Sequence, residues 1–285
     1  MCLRTARLLA VALIAAAGSC LAFAGPAAAT SRGCGPGGFA YAGLTARAAG
    51  AGIAATLSAI AQPVVESGHV AAWVGVGGPN EGPNGEPEWV QVGLSAEPGK
   101  PGRLYYEVER GNADPRYFPI ASGIPAGAKH RVAVAEVAGR PGTWRVWVDG
   151  KPASAPIYLP ESHGNLTAMA MSESWDGGQP ACNRYAYSFG HVALATRPGG
   201  TWRALVDANV LQDRIHRVLD RGAAGFVAMT QRPAIQLYLS HVARAFAALK
   251  QEAIARSLAR AGRALHAERL AVDLPPQLAL RILSL

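Results

Sequence analysis

The strongest constraint on this chain is the texture of residues 65–195, where short alternating runs each stop at a turn signal. His69 to Val76 stops at Gly77-Gly78-Pro79, Glu88 to Leu94 at Pro98-Gly99, and Arg103 to Glu109 at Gly111-Asn112. Arg131 to Val137 runs toward Gly139, and Thr143 to Val148 runs into Asp149-Gly150. That Asp-Gly pair is a hairpin signal, because a type I′ turn needs positive φ at both central residues. Leu166 to Trp175 and Tyr185 to Leu194 read as two further strands. No helical period intervenes, so strands at this spacing pack as antiparallel sheets. The expected fold is all-β: an antiparallel β-sandwich or jelly roll, spanning residues 30–229.

The two ends read differently. Arg4 and Arg7 precede an apolar run from Leu8 to Ala17, and small residues follow at Ala22-Phe23-Ala24 and Ala27-Ala28-Ala29. This is the layout of a signal peptide over residues 1–29, cleaved after Ala24 or Ala29. A lipoprotein signal with Cys20 as the lipidated residue is the rival reading. No later segment approaches about 18 continuous apolar residues, so no transmembrane segment is expected in the mature chain. The expected location is secreted or extracellular. From residue 230 to 285 the period changes: Ile235, Leu239, Val242, Phe246 and Leu249 recur at helical spacing. Pro233 suits the first turn, and Pro275-Pro276 breaks the chain. This helical C-terminal extension is expected to pack on the body or to self-associate. A membrane-surface helix and an unordered extension are the other readings.

Cysteine and charge bound the partners. Cys34 and Cys182 outlast the signal peptide, and in an oxidising compartment they most simply form one disulfide. A loop that long contributes about 4–5 kcal/mol in the chain-entropy model; two free thiols are the alternative. The formal net charge is +8. Arg4, Arg7 and Arg32 supply three of those charges and the tail from Thr230 supplies five, which leaves residues 33–229 neutral. A neutral body has no footprint for nucleic acid.

Most chemical motifs are missing. His69, His130, His163 and His191 are widely spaced and form no metal-ligand pattern, so neither a metal site nor a cofactor is expected. There is no G-x-S-x-G elbow. Gly75-Val-Gly77-Gly78 follows a strand but precedes no helix, so it is a turn and not a phosphate loop. Asn165-Leu-Thr167 matches the glycosylation acceptor pattern.

Two stretches are more specific. One is Trp73-Val-Gly-Val-Gly77 followed by Glu88-Trp-Val-Gln-Val-Gly93. The other is Met171-Ser-Glu-Ser-Trp175 followed by Tyr187-Ser-Phe-Gly-His-Val-Ala-Leu194. Here the chain resembles the glutamic peptidases known as eqolisins, β-sandwich enzymes with a Gln–Glu catalytic pair. By order and local context the resemblance puts Gln91 at the Gln position and Glu173 at the Glu position. Leu104-Tyr-Tyr-Glu-Val108 resembles the aromatic-acidic strand between them. The resemblance covers roughly residues 65–195. It departs at Gly77-Gly78, where the family has an acidic residue and Gly, and the family's cysteine framework is missing.

The chemistry of such a pair is coherent. An ionised Glu173 takes a proton from the attacking water, and the Gln91 amide donates to the developing oxyanion. Strand alternation puts Trp89, Gln91 and Gly93 on one face and Val90, Val92 and Leu94 on the other. Met169, Met171, Glu173 and Trp175 share a face that is either core or cleft. Trp73, Trp89, Tyr106, Glu107 and Trp175 are expected to bind substrate, which is an extracellular protein, peptide or glycan. Without the resemblance, Gln91 reads as a solvated strand residue and Glu173 as a structural acceptor. With its strand–Asp-Gly–strand hairpin and its Trp and Tyr on sheet faces, the chain also resembles concanavalin-like lectin sandwiches in general build. That implies a competing function as a non-catalytic, lectin-like binding module, with Trp73, Trp89, Tyr105, Tyr106, Trp147 and Trp175 lining a groove. Glu88, Glu107 and Glu173 are the carboxylates available on strands. A structural role in the cell envelope is a third reading.

Overall fold

The computed structural model describes residues 38–230, apart from 112, 179–180, 214 and 223–224. The expected signal peptide, Cys34 and the helical extension expected over 230–285 lie outside the described residues, except Thr230, which ends a strand. In chain order the first strands are β1 (Phe39–Ala49), β2 (Gly52–Ala59), β3 (His69–Gly78), β4 (Glu88–Ala96), β5 (Gly102–Arg110) and β6 (Arg116–Ile124). Next come β7 (His130–Glu136), β8 (Thr143–Val148), β9 (Lys151–Pro152), β10 (Ile157–Tyr158) and β11 (Thr167–Trp175). The last are β12 (Ala186–Ala195), β13 (Trp202–Ala204), β14 (Ala208–Leu211), β15 (His216–Gly222) and β16 (Gly225–Thr230).

The strands form two antiparallel sheets. One runs β14-β1-β11-β3-β4-β5-β6, the other β10-β8-β7-β2-β12-β16-β15, with β13 paired to β12 and β9 to β8. The all-β sandwich expected from the turn spacing is what the chain forms. At the Asp149-Gly150 hairpin both central residues take positive φ, +50° and +77°, as a type I′ turn requires.

The sequence hid several strands. β1 and β2 are built largely from Ala, Gly and Thr, which carry little of the β-branched and aromatic signal of strands. They form only because neighbouring strands cover them: β1 lies between β14 and β11, and β2 between β7 and β12. β6 contains Pro119, tolerated because this strand is the sheet edge.

The pleat of the central strands separates core from groove. Val70, Ala72, Val74 and Val76 of β3, with Val90, Val92 and Leu94 of β4, turn inward. They meet Ile53, Ala55 and Leu57 of β2, Val132 and Val134 of β7, and Tyr187 and Phe189 of β12. Phe189 stacks on Phe226 with ring centroids 4.4 Å apart. Each fully buried aliphatic or Phe side chain here contributes about 1.5–3 kcal/mol. Alternate residues of β3 and β4 therefore turn to the other face of the first sheet. Among the described residues no helix is long and apolar enough to cross a membrane.

One carboxyl sits on the wrong side of this division. Glu88 begins β4 on the core side, is 1% exposed, and its Oε2 has no hydrogen-bond partner among the described residues. Burial, with Glu161 nearby and Arg110 opposing, pushes its pKa from 4.5 up to about 7. The folded state thus holds this proton more tightly than the unfolded chain does. The resulting stability is complete below about 4.5 and is lost as pH rises through about 7. Thermal melts of Glu88→Gln should show a flatter dependence on pH across that window and a higher Tm than the parent at pH 8. An unchanged slope would show that Glu88 is solvated in the folded protein.

Candidate functional site

The outward face of the first sheet is a groove of about 810 Å³. Strand register arranges its floor in rows. Tyr41, Glu173, Ala71 and Ser95 form the first, on β1, β11, β3 and β4. Gly43, Met171, Trp73, Gly93 and Tyr105 form the second, which reaches β5. Met169, Gly75, Gln91 and Glu107 form the third. Gly93 has to be glycine, because a Cβ there would overlap the Ala72 carbonyl oxygen and lie 2.7 Å from Trp73 Cα. The bare backbone lets Trp73 lie along the floor.

Glu173 is clasped from two sides. His69 Nε2 lies 2.7 Å from Oε1, and Trp73 Nε1 donates to Oε2 at 3.0 Å. The residue is 7% exposed. A carboxylate has about four acceptor positions, so each oxygen keeps a position for one more donor such as water. His69 packs in turn against Trp175, and Phe39 stacks between Tyr41 and Trp175 at 6.1 and 5.9 Å.

The rest of the floor is aromatic with few polar groups. Gln91 Nε2 donates to the Tyr105 hydroxyl at 3.4 Å. Burial, then the charges of Glu173 and Glu107, hold the Tyr105 phenol well above its ordinary range, so it remains an O–H. Tyr41 is raised by burial and then by the same two carboxylates. Trp89 Nε1 donates to Glu107 Oε1 at 3.2 Å. Burial raises the Glu107 carboxyl and Glu173 raises it further, against the lowering effects of Trp89 and His69. Tyr105 stacks on Tyr117 at 4.9 Å, and Tyr117 shares a hydrogen bond with Ser95. Among the described residues no group of three or more His, Cys, Asp and Glu side chains is arranged to hold a metal ion.

The structure brings most of the sequence-predicted residues to this one groove. Trp73, Trp89, Gln91, Glu107, Glu173 and Trp175 all line it. The Met169–Trp175 face, ambiguous in sequence, is the cleft. Tyr106 does not belong to the groove: it turns inward, packs on the core and stacks on Phe118 at 4.5 Å. Its place is taken by Tyr105. Trp147 lies on β8 of the other sheet, and Glu88 faces the core. Gln91 and Glu173 share the face but not a row. Across β3, the residue in the row of Gln91 is Met169, and the carboxyl directly beside Gln91 is Glu107 on β5.

No protein-family model matches the chain, and no curated protein matches it. Solved structures do. The chain is similar to scytalidoglutamic peptidase with a peptide-based transition-state analogue, at 14% identity and TM-score 0.48, covering 68% of this chain and 98% of that one. A member of the eqolisin family of peptidases in complex with the tripeptide Ala-Ile-His matches at 15% identity and TM-score 0.45, with the same coverage. An alginate lyase from Pseudomonas aeruginosa matches at 19% identity and TM-score 0.40, over 53% of this chain and 66% of that one. The structural neighbours include eqolisin peptidases, glycosidase or lyase sandwiches and a pentraxin.

Sequence reasoning missed His69, Tyr41 and Phe39 as groove residues, and it placed Tyr105 only in the groove of the binding-module reading, with Tyr106 in its stead among the substrate-binding residues. Tyr105 was within reach, because alternation puts it on the face of Glu107 and puts Tyr106 on the other. His69 was not, since its contact with Glu173 depends on pairing strands about a hundred residues apart.

The clasp makes a measurable claim. A hydrogen bond to a charged group contributes about 1.5–3 kcal/mol, so Trp73→Phe should lower stability by an amount in that range. In a double-mutant cycle with Glu173→Gln, read by denaturant unfolding, the two changes should couple by about 0.5–3 kcal/mol. Strict additivity would mean the indole and the carboxylate do not meet.

Proposed function

We propose that the groove holds an extended peptide chain. The observation that carries this is the third row, where Gln91 and Glu107 lie together among the aromatic walls of Trp73, Trp89 and Tyr117. Apolar and thioether walls with a few convergent polar groups suit peptide side chains. The likeness of the Trp73–Gly93 and Met171–Leu194 stretches to glutamic peptidases supports a peptide ligand as well. The reading includes export, since the first 29 residues have the layout of a signal peptide.

Hydrolysis of that peptide is the second reading, and the seating of Glu173 favours it. Two N–H donors orient the carboxylate, and each oxygen keeps an acceptor position for water. Glu173 takes one proton from that water as its oxygen bonds to the peptide carbon. The Gln91 amide donates to the carbonyl oxygen as it gains charge. The proton then passes from Glu173 to the departing amine nitrogen as the C–N bond breaks. The offset between the rows of Gln91 and Glu173 weighs toward binding without cleavage.

Digestion of casein or albumin from about pH 2 to 7 separates the two readings. Binding alone predicts intact substrate at every pH and saturable binding of denatured casein to the folded protein. Cleavage that peaks in acid and disappears in Glu173→Gln would establish hydrolysis. Absence of both binding and cleavage would overturn the peptide reading.

A further inference from the structure

The charges around the groove do not cancel. Beside it, Arg103 and Lys100 are both matched to Glu97, Arg103 at 2.8 Å, and the His69 ring is hydrogen-bonded to Glu173. Glu107 is different. One oxygen accepts the Trp89 indole N–H, and among the described residues no Lys, Arg or His lies within ion-pair distance of it. Around it stand Trp89, the opposed Tyr117 of β6 and the Tyr105 ring stacked on that residue. A half-buried carboxylate beside aromatic faces is a receptor for an organic cation. The carboxylate supplies a charge-assisted hydrogen bond, and the rings supply cation–π attraction along the aliphatic stem.

We propose that Glu107 is the specificity residue of the groove, taking the side chain of a Lys or Arg in the bound peptide. The inference rests on the peptide reading above and adds its selectivity. Gln91, directly across from Glu107, then faces the backbone of that same basic residue.

The groups facing this pocket set how it responds to pH. Burial disfavours a negative charge at Glu107, as does Glu173 across the groove, while the Trp89 N–H and His69 favour it. Glu109, in the row of Trp89, is buried and its carboxyl is likewise raised, first by burial and then by Glu107 and Asp114. Tyr41 and Tyr105 stay neutral. Because the Glu107 carboxyl is raised, the preference for cations declines on acidification earlier than it would at a solvated carboxylate.

The test is calorimetric binding of four heptapeptides, identical except for Lys, Arg, norleucine or Glu at the centre, to the purified protein at pH 7.5 and pH 4.5. Lys and Arg peptides should bind at least tenfold more tightly than norleucine at pH 7.5, with the ratio shrinking at pH 4.5. Glu107→Gln should abolish the difference between the Lys and norleucine peptides, whatever the change in their common affinity. Glu107→Asp should keep part of the preference. Thermal melts show that each variant is folded. Equal binding of Lys and norleucine peptides to the parent, or a Lys preference that survives in Glu107→Gln, overturns this assignment and leaves the groove a peptide site. Failure of all four peptides to bind overturns the peptide reading and this assignment together.

Discussion

The pleat of β3, β4 and β11 is the constraint on which the rest of the molecule depends. One set of alternate side chains on these strands is mostly small and aliphatic and seals the space between the sheets. The other set is thereby forced onto the opposite face, where aromatic, thioether and carboxylate groups collect. A slip of one residue in any of these pairings would send Trp73, Gln91 and Glu173 into the core and Val74, Val90 and Val92 into water. Fold and groove are specified by the same register, so neither can be altered without the other.

Within the groove, electrostatics set the roles. Glu173 has two N–H groups to stabilise its charge, whereas Glu107 has one indole N–H and a negative neighbour. The floor between them is largely apolar, and in such surroundings a carboxylate without partners is costly. The two groups thus differ in what they can do. Glu173 is oriented and anchored, while Glu107 is left with unmet capacity for a donor. Tyr105 stands between the two influences, a neutral hydroxyl that accepts the Gln91 amide and feels both carboxylates.

Much of this was legible from sequence, for identifiable reasons. The strands rich in Val, Trp and Tyr, and the Asp149-Gly150 turn, announce themselves because their residues have strong local preferences. β1 and β2 do not, since alanine and glycine fit a strand only when neighbours bury them. Groove membership followed wherever alternation was applied strictly, as for Trp89 and Gln91, and failed where it was not. Tyr106 and Glu107 are adjacent and cannot share a face. What no local pattern gives is which rows meet. The pairing of β11 with β3 joins residues about a hundred apart, and it alone decides that Met169 rather than Glu173 stands in the row of Gln91.

The indoles on the groove floor have an optical consequence. Trp73 and Trp89 each direct their N–H at a carboxylate, and Trp175 stacks at the groove's edge. Trp144, by contrast, is fully buried, with its N–H held by Ser162. Indole emission follows the local field and the wetness of the ring. Any guest that expels water from the floor, or draws charge from Glu107, changes the colour and intensity of the groove tryptophans while the buried one stays constant. The chain thus carries its own internally referenced fluorescent reporter of occupancy, with no label attached.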